Sequence, residues 1–119
     1  MALKRGTRGV AKRHLTPGLL AMVARRFRAL AEPARLHVLH SLEEGERSVT
    51  ELAAATRIAQ GTLSKHLQVL HEAGFVVRRR DGQFVYYQLA DEQVLRLCEL
   101  MCRRIESEVH SVRGAIARH

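Results

Sequence analysis

The stretch GTLSKHLQVLHEAGFVVRRRDGQFVYYQL, residues 61–89, decides how this chain folds. In its first half Leu63, Leu67 and Leu70 recur at helical spacing and fall on one narrow face. Gly74 is a good residue to end that helix. Beyond it the period drops from 3.6 to 2. FVVRRR and QFVYYQL read as two strands around Asp81-Gly82, a strong hairpin signal. The rest of the helix surface carries Thr62, Ser64, Lys65, His66 and Gln68, and no acid. A solvated helix face usually mixes Glu with Lys, so this face needs a partner that tolerates no acids.

Working upstream, Ser48-Val49-Thr50-Glu51 fits a capping box and opens a short helix to about Thr56. Residues 57–60 make a tight connection. Two earlier helices each begin at a proline. Thr16 caps the first, which runs from Pro17 to about Leu30, and the second starts at Pro33, turns Leu36, Leu39 and Leu42 inward and ends near Gly45. Downstream, Asp91 starts a last helix that continues to about Ile116. The predicted fold is mainly α with a small β-hairpin wing, in the order α-α-α-α-β-β-α. Residues 1–14 read as a disordered basic arm and 15–119 as one domain.

The chain has 119 residues, and 46% of them are hydrophobic but only 4% aromatic, so the core must be mostly Leu, Val, Ala and Ile. A domain this small is often marginal alone. The net charge is +8, from 20 Lys and Arg against 12 Asp and Glu, which favours an anionic partner. The excess is uneven. Residues 1–35 hold nine basic residues and one acid, whereas residues 36–74 hold three and five. The helix of residues 61–73 is therefore not a generic basic patch. No apolar run is long enough to span a bilayer, and the basic N-terminus lacks a signal-peptide pattern. A soluble, cytoplasmic protein is expected, with no membrane partner.

A short helix, a four-residue turn and a second amphipathic helix make a helix-turn-helix, and the hairpin makes it winged. The major groove of double-stranded DNA admits one helix, and its base edges carry a distinct donor and acceptor pattern. Thr62, Ser64, Lys65, His66 and Gln68 suit that reading role. Gln60 and the free amides at Gly61 and Thr62 suit a phosphate at the helix N-terminus. Arg78, Arg79 and Arg80 alternate across their strand, so no single buried face accounts for them. They suit phosphate contact or insertion of one arginine into the minor groove. The blander reading is a polar surface helix on an all-α core. A protein- or RNA-interaction module is a further alternative. No phosphate loop or nucleophile arrangement points to an enzyme.

These segments resemble the ArsR/SmtB family of bacterial winged-helix repressors. The likeness runs through ALAEPARLHVLHSL, SVTELAAATRIAQGTLSKHLQVLHEAGFVVRRRDGQFVYYQLAD and the closing helix, from about Phe27 to Leu100. It implies a homodimer held by the first and last helices, with two reading helices on a palindromic operator. It also implies repression relieved by an inducer, often a metal ion or thiol oxidant. The residues matching Gln60, Thr62, Ser64, Lys65 and His66 then face DNA. Ala59 departs from the family pattern, in which a serine often caps this helix.

Independently of the resemblance, Leu95, Cys98, Cys102, Ile105, Val109, Val112 and Ile116 recur at alternating intervals of three and four, a heptad seam. Cys98 and Cys102 share one helical face and could serve as soft ligands. Three thiolates would suit As(III) and four Cd(II) or Zn(II) across a dimer, and thiol oxidation is another option. Equally, both can be small apolar residues packed in the seam with no inducer at all. The family's cysteine pair before the reader is absent from SVTEL. The stretch matching its last-helix zinc site begins Asp91-Glu92-Gln93, with the later ligand positions near Arg104 and Ser107, and Gln and Arg do not suit zinc. Glu106 and His110 read as solvated rim residues. His37 and His40 read as surface histidines, and Tyr86 and Tyr87 as split between surface and core.

Overall fold

The structure, a computed structural model, describes residues 14–117, with side chains to residue 114. The expected basic arm, residues 1–14, lies outside the described residues except for His14. The elements are α1 (Pro17–Leu30), α2 (Pro33–Ser41), β1 (Arg47–Ser48), α3 (Val49–Thr56), α4 (Gln60–Glu72), β2 (Val76–Asp81), β3 (Phe84–Leu89) and α5 (Gln93–Ala117). The winged helix-turn-helix order expected from sequence is present, with one addition. Two residues ahead of α3 form β1 and pair with β3, through Arg47 with Tyr87 and Ser48 with Tyr86. The sheet is therefore three-stranded, in the order β1-β3-β2.

Local chemistry explains most boundaries. Thr16 Oγ1 accepts from the Leu19 amide at 3.1 Å, and Pro17 occupies the first turn of α1, where a missing N–H loses nothing. The α4 C-terminus closes as a Schellman motif: Phe75 N–H donates to Leu70 O at 2.9 Å, and Gly74 N–H to His71 O at 3.0 Å. Gly74 supplies the positive φ of 83° that this motif needs. In the hairpin Asp81 pairs with Phe84, so the turn is Gly82-Gln83, one residue later than the Asp-Gly signal suggests. At the head of α5, Asp91 Oδ1 accepts from the Gln93 amide at 2.8 Å.

The core lies where α2, α3 and α4 meet the sheet. Val38, Leu39, Leu52, Leu63, Leu67 and Leu70 are fully buried, and Leu30, Leu42, Val76, Tyr87 and Val94 complete the cluster. The three leucines read from the α4 period are all among them. Each contributes about 2 kcal/mol by leaving water. Leu36, expected inward, is only partly buried at the core's edge.

The turn between α3 and α4 is closed by Thr56, whose buried hydroxyl donates to Leu52 O at 2.7 Å and accepts from the Ile58 amide at 3.4 Å. At the other end of α3, Ser48 Oγ accepts from Glu51 N at 3.1 Å, and Glu51 Oε1 accepts from Ser48 N at 2.9 Å. Ser48→Ala leaves an amide without its partner and is expected to cost about 1 kcal/mol, seen as a lower melting temperature. The donated Ser48 amide, then the Ser48 hydroxyl, hold the Glu51 carboxyl below its usual 4.5. A depressed folded pKa means stability present above the unfolded value and lost as pH falls through the folded one. Acid melts of the wild type should therefore lose stability below about pH 4.5, and Glu51→Gln should lessen that loss.

Candidate nucleic-acid interface

Helix α4 is anchored on both flanks, and the anchors divide its polar residues into two groups. On one flank Gln68 donates to Glu72 at 2.8 Å and accepts from Arg78 Nη1 of the wing at 3.4 Å. On the other, His66 is half-buried and its Nδ1 lies 3.4 Å from Arg35 Nη1. A guanidinium only donates, so Nδ1 is the acceptor in this contact. Arg35 also donates through Nε to Ala29 O at 2.7 Å and through Nη2 to Arg28 O at 3.4 Å, capping the last turn of α1. His66 thus ties the reader to α1. Gly61, Thr62, Ser64 and Lys65 remain on the exposed ridge between the two anchors.

Gln60 is exposed in the first turn of α4. Ala59 sits at the N-cap and provides no side-chain acceptor, so the first amides of α4 are not capped by its side chain. Leu63 N–H closes the first helical bond to Ala59 O at 2.8 Å. The uncapped end therefore presents N–H groups with a positive helix dipole behind them.

The wing separates the three arginines that the sequence grouped. Cross-strand partners share a face of the sheet. Arg78 lies opposite Tyr87 and Arg80 opposite Val85, on the side that meets α4. With Ser64 and Val49 they line an open groove of about 450 Å³ between reader and wing, which Arg79 also borders. Arg79 lies opposite Tyr86, on the other face. Its Nε and Nη2 donate to the two carboxylate oxygens of Glu46 at 2.8 and 2.7 Å. Its Nη1 stands 3.8 Å from Asp81, and its guanidinium carbon 4.5 Å from the Tyr86 ring centre. The Arg79–Glu46 hydrogen bond holds the Glu46 carboxyl below its ordinary range and raises the Arg79 pKa. Tyr87 is buried in the core and Tyr86 half-buried beneath Arg79, the split expected from alternation. Arg35 and Glu46 carry no signal in the local sequence, because each meets its distant partner more than thirty residues away.

The last helix differs from the expected seam at its start. Leu95 packs against the chain's own core and Cys98 is half-buried, so neither is free. Ile105, Val109 and Val112 are exposed as a stripe, widened by Leu97, Leu100 and Met101, which the heptad reading omitted. The side chain of Ile116 lies outside the described residues. Helix α1 exposes a second apolar row, with Leu19, Leu20, Val23 and Phe27.

Burial, then the neighbouring Cys102, push the Cys98 thiol up, away from the thiolate. Cys102 is exposed. Among the described residues no group of three or more His, Cys, Asp or Glu could hold a metal ion. His37 and His40 are exposed, and His40 Nδ1 donates to Leu36 O at 2.9 Å. Glu106 and His110 are exposed, as expected of rim residues. No helix among the described residues is long and apolar enough to cross a membrane.

An uncapped reading helix with a clear outer ridge, flanked by a wing with two outward arginines, defines a winged helix-turn-helix DNA-binding regulator. Residues 32–77 match the model of the bacterial regulatory proteins of the arsR family. The chain is 46% identical over 79 residues to a biofilm growth-associated repressor of Agrobacterium fabrum, covering 66% of this chain and 68% of that one. It spans 43% and 54% of the length of two further relatives. Among solved structures it resembles a homodimeric winged helix-turn-helix DNA-binding domain from Mycobacterium bovis, at 38% identity and a TM-score of 0.69, covering 82% of this chain and 90% of that one. It also resembles the AntR antimony-specific transcriptional repressor, at 32% identity and a TM-score of 0.71, covering 87% and 95%. The chain belongs to the ArsR family.

Proposed function

We propose that this chain is a cytoplasmic, homodimeric repressor that binds a palindromic operator and carries out no catalysis itself. The ridge of α4 enters the major groove, where Thr62, Ser64 and Lys65 meet base edges. Gln60 and the amides of Gly61 and Thr62 take a phosphate at the helix N-terminus. Arg78 and Arg80 take backbone phosphates beside it. Gln68 and His66 brace the reader from either side, Gln68 through Arg78 and His66 through Arg35. The observation that carries this reading is the open groove shared by Ser64, Arg78 and Arg80, which puts reader and wing on one side of the molecule.

Thr62→Ala with Ser64→Ala is expected to erase operator preference while leaving the dimer and the affinity for random duplex intact. Competition of labelled operator against random duplex measures it. Each lost base contact corresponds to about 1–3 kcal/mol of discrimination. An unchanged preference assigns the reading elsewhere.

Thiol-dependent release is a second reading, favoured by the placement of free Cys98 and Cys102 one turn apart on the helix with the unpartnered apolar stripe. The expected result is that arsenite or cadmium releases the wild type from its operator. Cys98→Ser/Cys102→Ser should bind equally well and ignore both. If neither agent, nor zinc, nor a persulfide releases the wild type, the cysteines only pack.

A further inference from the structure

Phosphate binding leaves one wing arginine unexplained. Arg79 spends Nε and Nη2 on Glu46, keeps Nη1 near Asp81 and lies over the Tyr86 ring. Exposed ion pairs are usually worth little, but fork-to-fork arginine–carboxylate geometry is the exception, and here a ring supports it. The location matters more than the pair itself. Strand β2 is an edge strand, and in the sheet it meets only β3. The Glu46–Arg79 contact reaches past β3 and joins β2 to the residue just before β1. It thus fastens the two outer strands to each other across the sheet. Side chains alternate along a strand, so holding Arg79 on one face fixes the direction of Arg78 and Arg80 on the other.

We propose that Glu46 and Arg79 are positioning residues for DNA binding: their two-pronged contact, seated on Tyr86, holds the wing at the angle that presents Arg78 and Arg80 to the duplex. This rests on the DNA-binding reading above. It also explains why an acid belongs beside a phosphate-facing wing, where its charge alone would repel the ligand. The guanidinium fork is the functional feature, so lysine is no substitute.

The full-length chain is tested on a labelled duplex selected by the wild type from a random library, across a salt series. Arg79→Lys and Glu46→Gln are each expected to weaken binding about fivefold, and the double variant no further than either single. The slope of affinity against salt should stay at the wild-type value in all three. Glu46→Asp, whose shorter arm reaches one prong, should fall between. Three results overturn the proposal: wild-type affinity in Arg79→Lys, tighter binding by Glu46→Gln, or a salt slope cut by about one in Arg79→Ala, the mark of a lost phosphate contact. Wild-type binding with unaffected variants removes the positioning role alone. A wild type that binds no duplex removes the DNA reading and this role with it.

Discussion

Replacing Met101 and Ile105 together by glutamate is expected to turn the proposed dimer into a monomer and to cut operator affinity by about 10²–10⁴-fold. The two residues lie one turn apart on α5, 61% and 52% exposed in the single chain. Helix α5 has 25 residues, a length of about 38 Å. Only its first turns reach the core, where Val94 is buried and Leu95 partly so. The rest projects, and the radius of gyration is 18.1 Å, against about 13 Å for a compact domain of this size. An apolar stripe on a projecting helix, with a second row on α1 ending at Phe27 (55% exposed), needs a cover. A second copy supplies one with the same two surfaces. Glutamates placed there must be buried unpaired or keep the copies apart. A monomer then binds one half-site without the effective concentration that the linked second reader provides. Sedimentation should show the wild type at twice the 13.4 kDa chain mass and the variant at once that mass. A variant that remains dimeric, or a monomer with full operator affinity, refutes the arrangement.

Arg78→Ala with Arg80→Ala should weaken binding to every duplex, operator or not, and lower the salt slope by about two. Two charge-assisted contacts at about 1.5–3 kcal/mol each make the loss at least a hundredfold. Both side chains face α4 and neither forms an ion pair among the described residues. Phosphate contacts position a protein on DNA without reading it. Relative preference for the operator should therefore survive in the double variant, the reverse of the result expected for Thr62 and Ser64. Fluorescence anisotropy at several salt concentrations separates the cases. A slope unchanged from wild type would place the wing away from the backbone.

Much of this architecture was legible in the chain. The leucines of α4, the capping box at Ser48, the glycine at 74 and the switch from a helical to an alternating period are all rules that act within one turn or one strand. They locate four helices, a hairpin and a long last helix to within a residue or two, except that the second helix, expected to end near Gly45, stops at Ser41. The alternation of Tyr86 and Tyr87 likewise says that one ring goes in and one stays out. Strand β1 escaped because two residues carry no period, and its identity as a strand comes wholly from pairing with Tyr86 and Tyr87.

Sequence alone therefore determined the helices, the hairpin and their turns, and which helix has an acid-free polar face, because those properties depend on neighbours a few positions away. Only the tertiary structure decided what individual polar side chains do. It brought Glu46 to Arg79. It turned His66 toward Arg35, drew Leu95 into the core, and left Leu97, Leu100 and Met101 in the open. Those outcomes depend on the angles at which packed elements meet, and residues more than thirty positions apart become partners only when the hydrophobic core has set those angles.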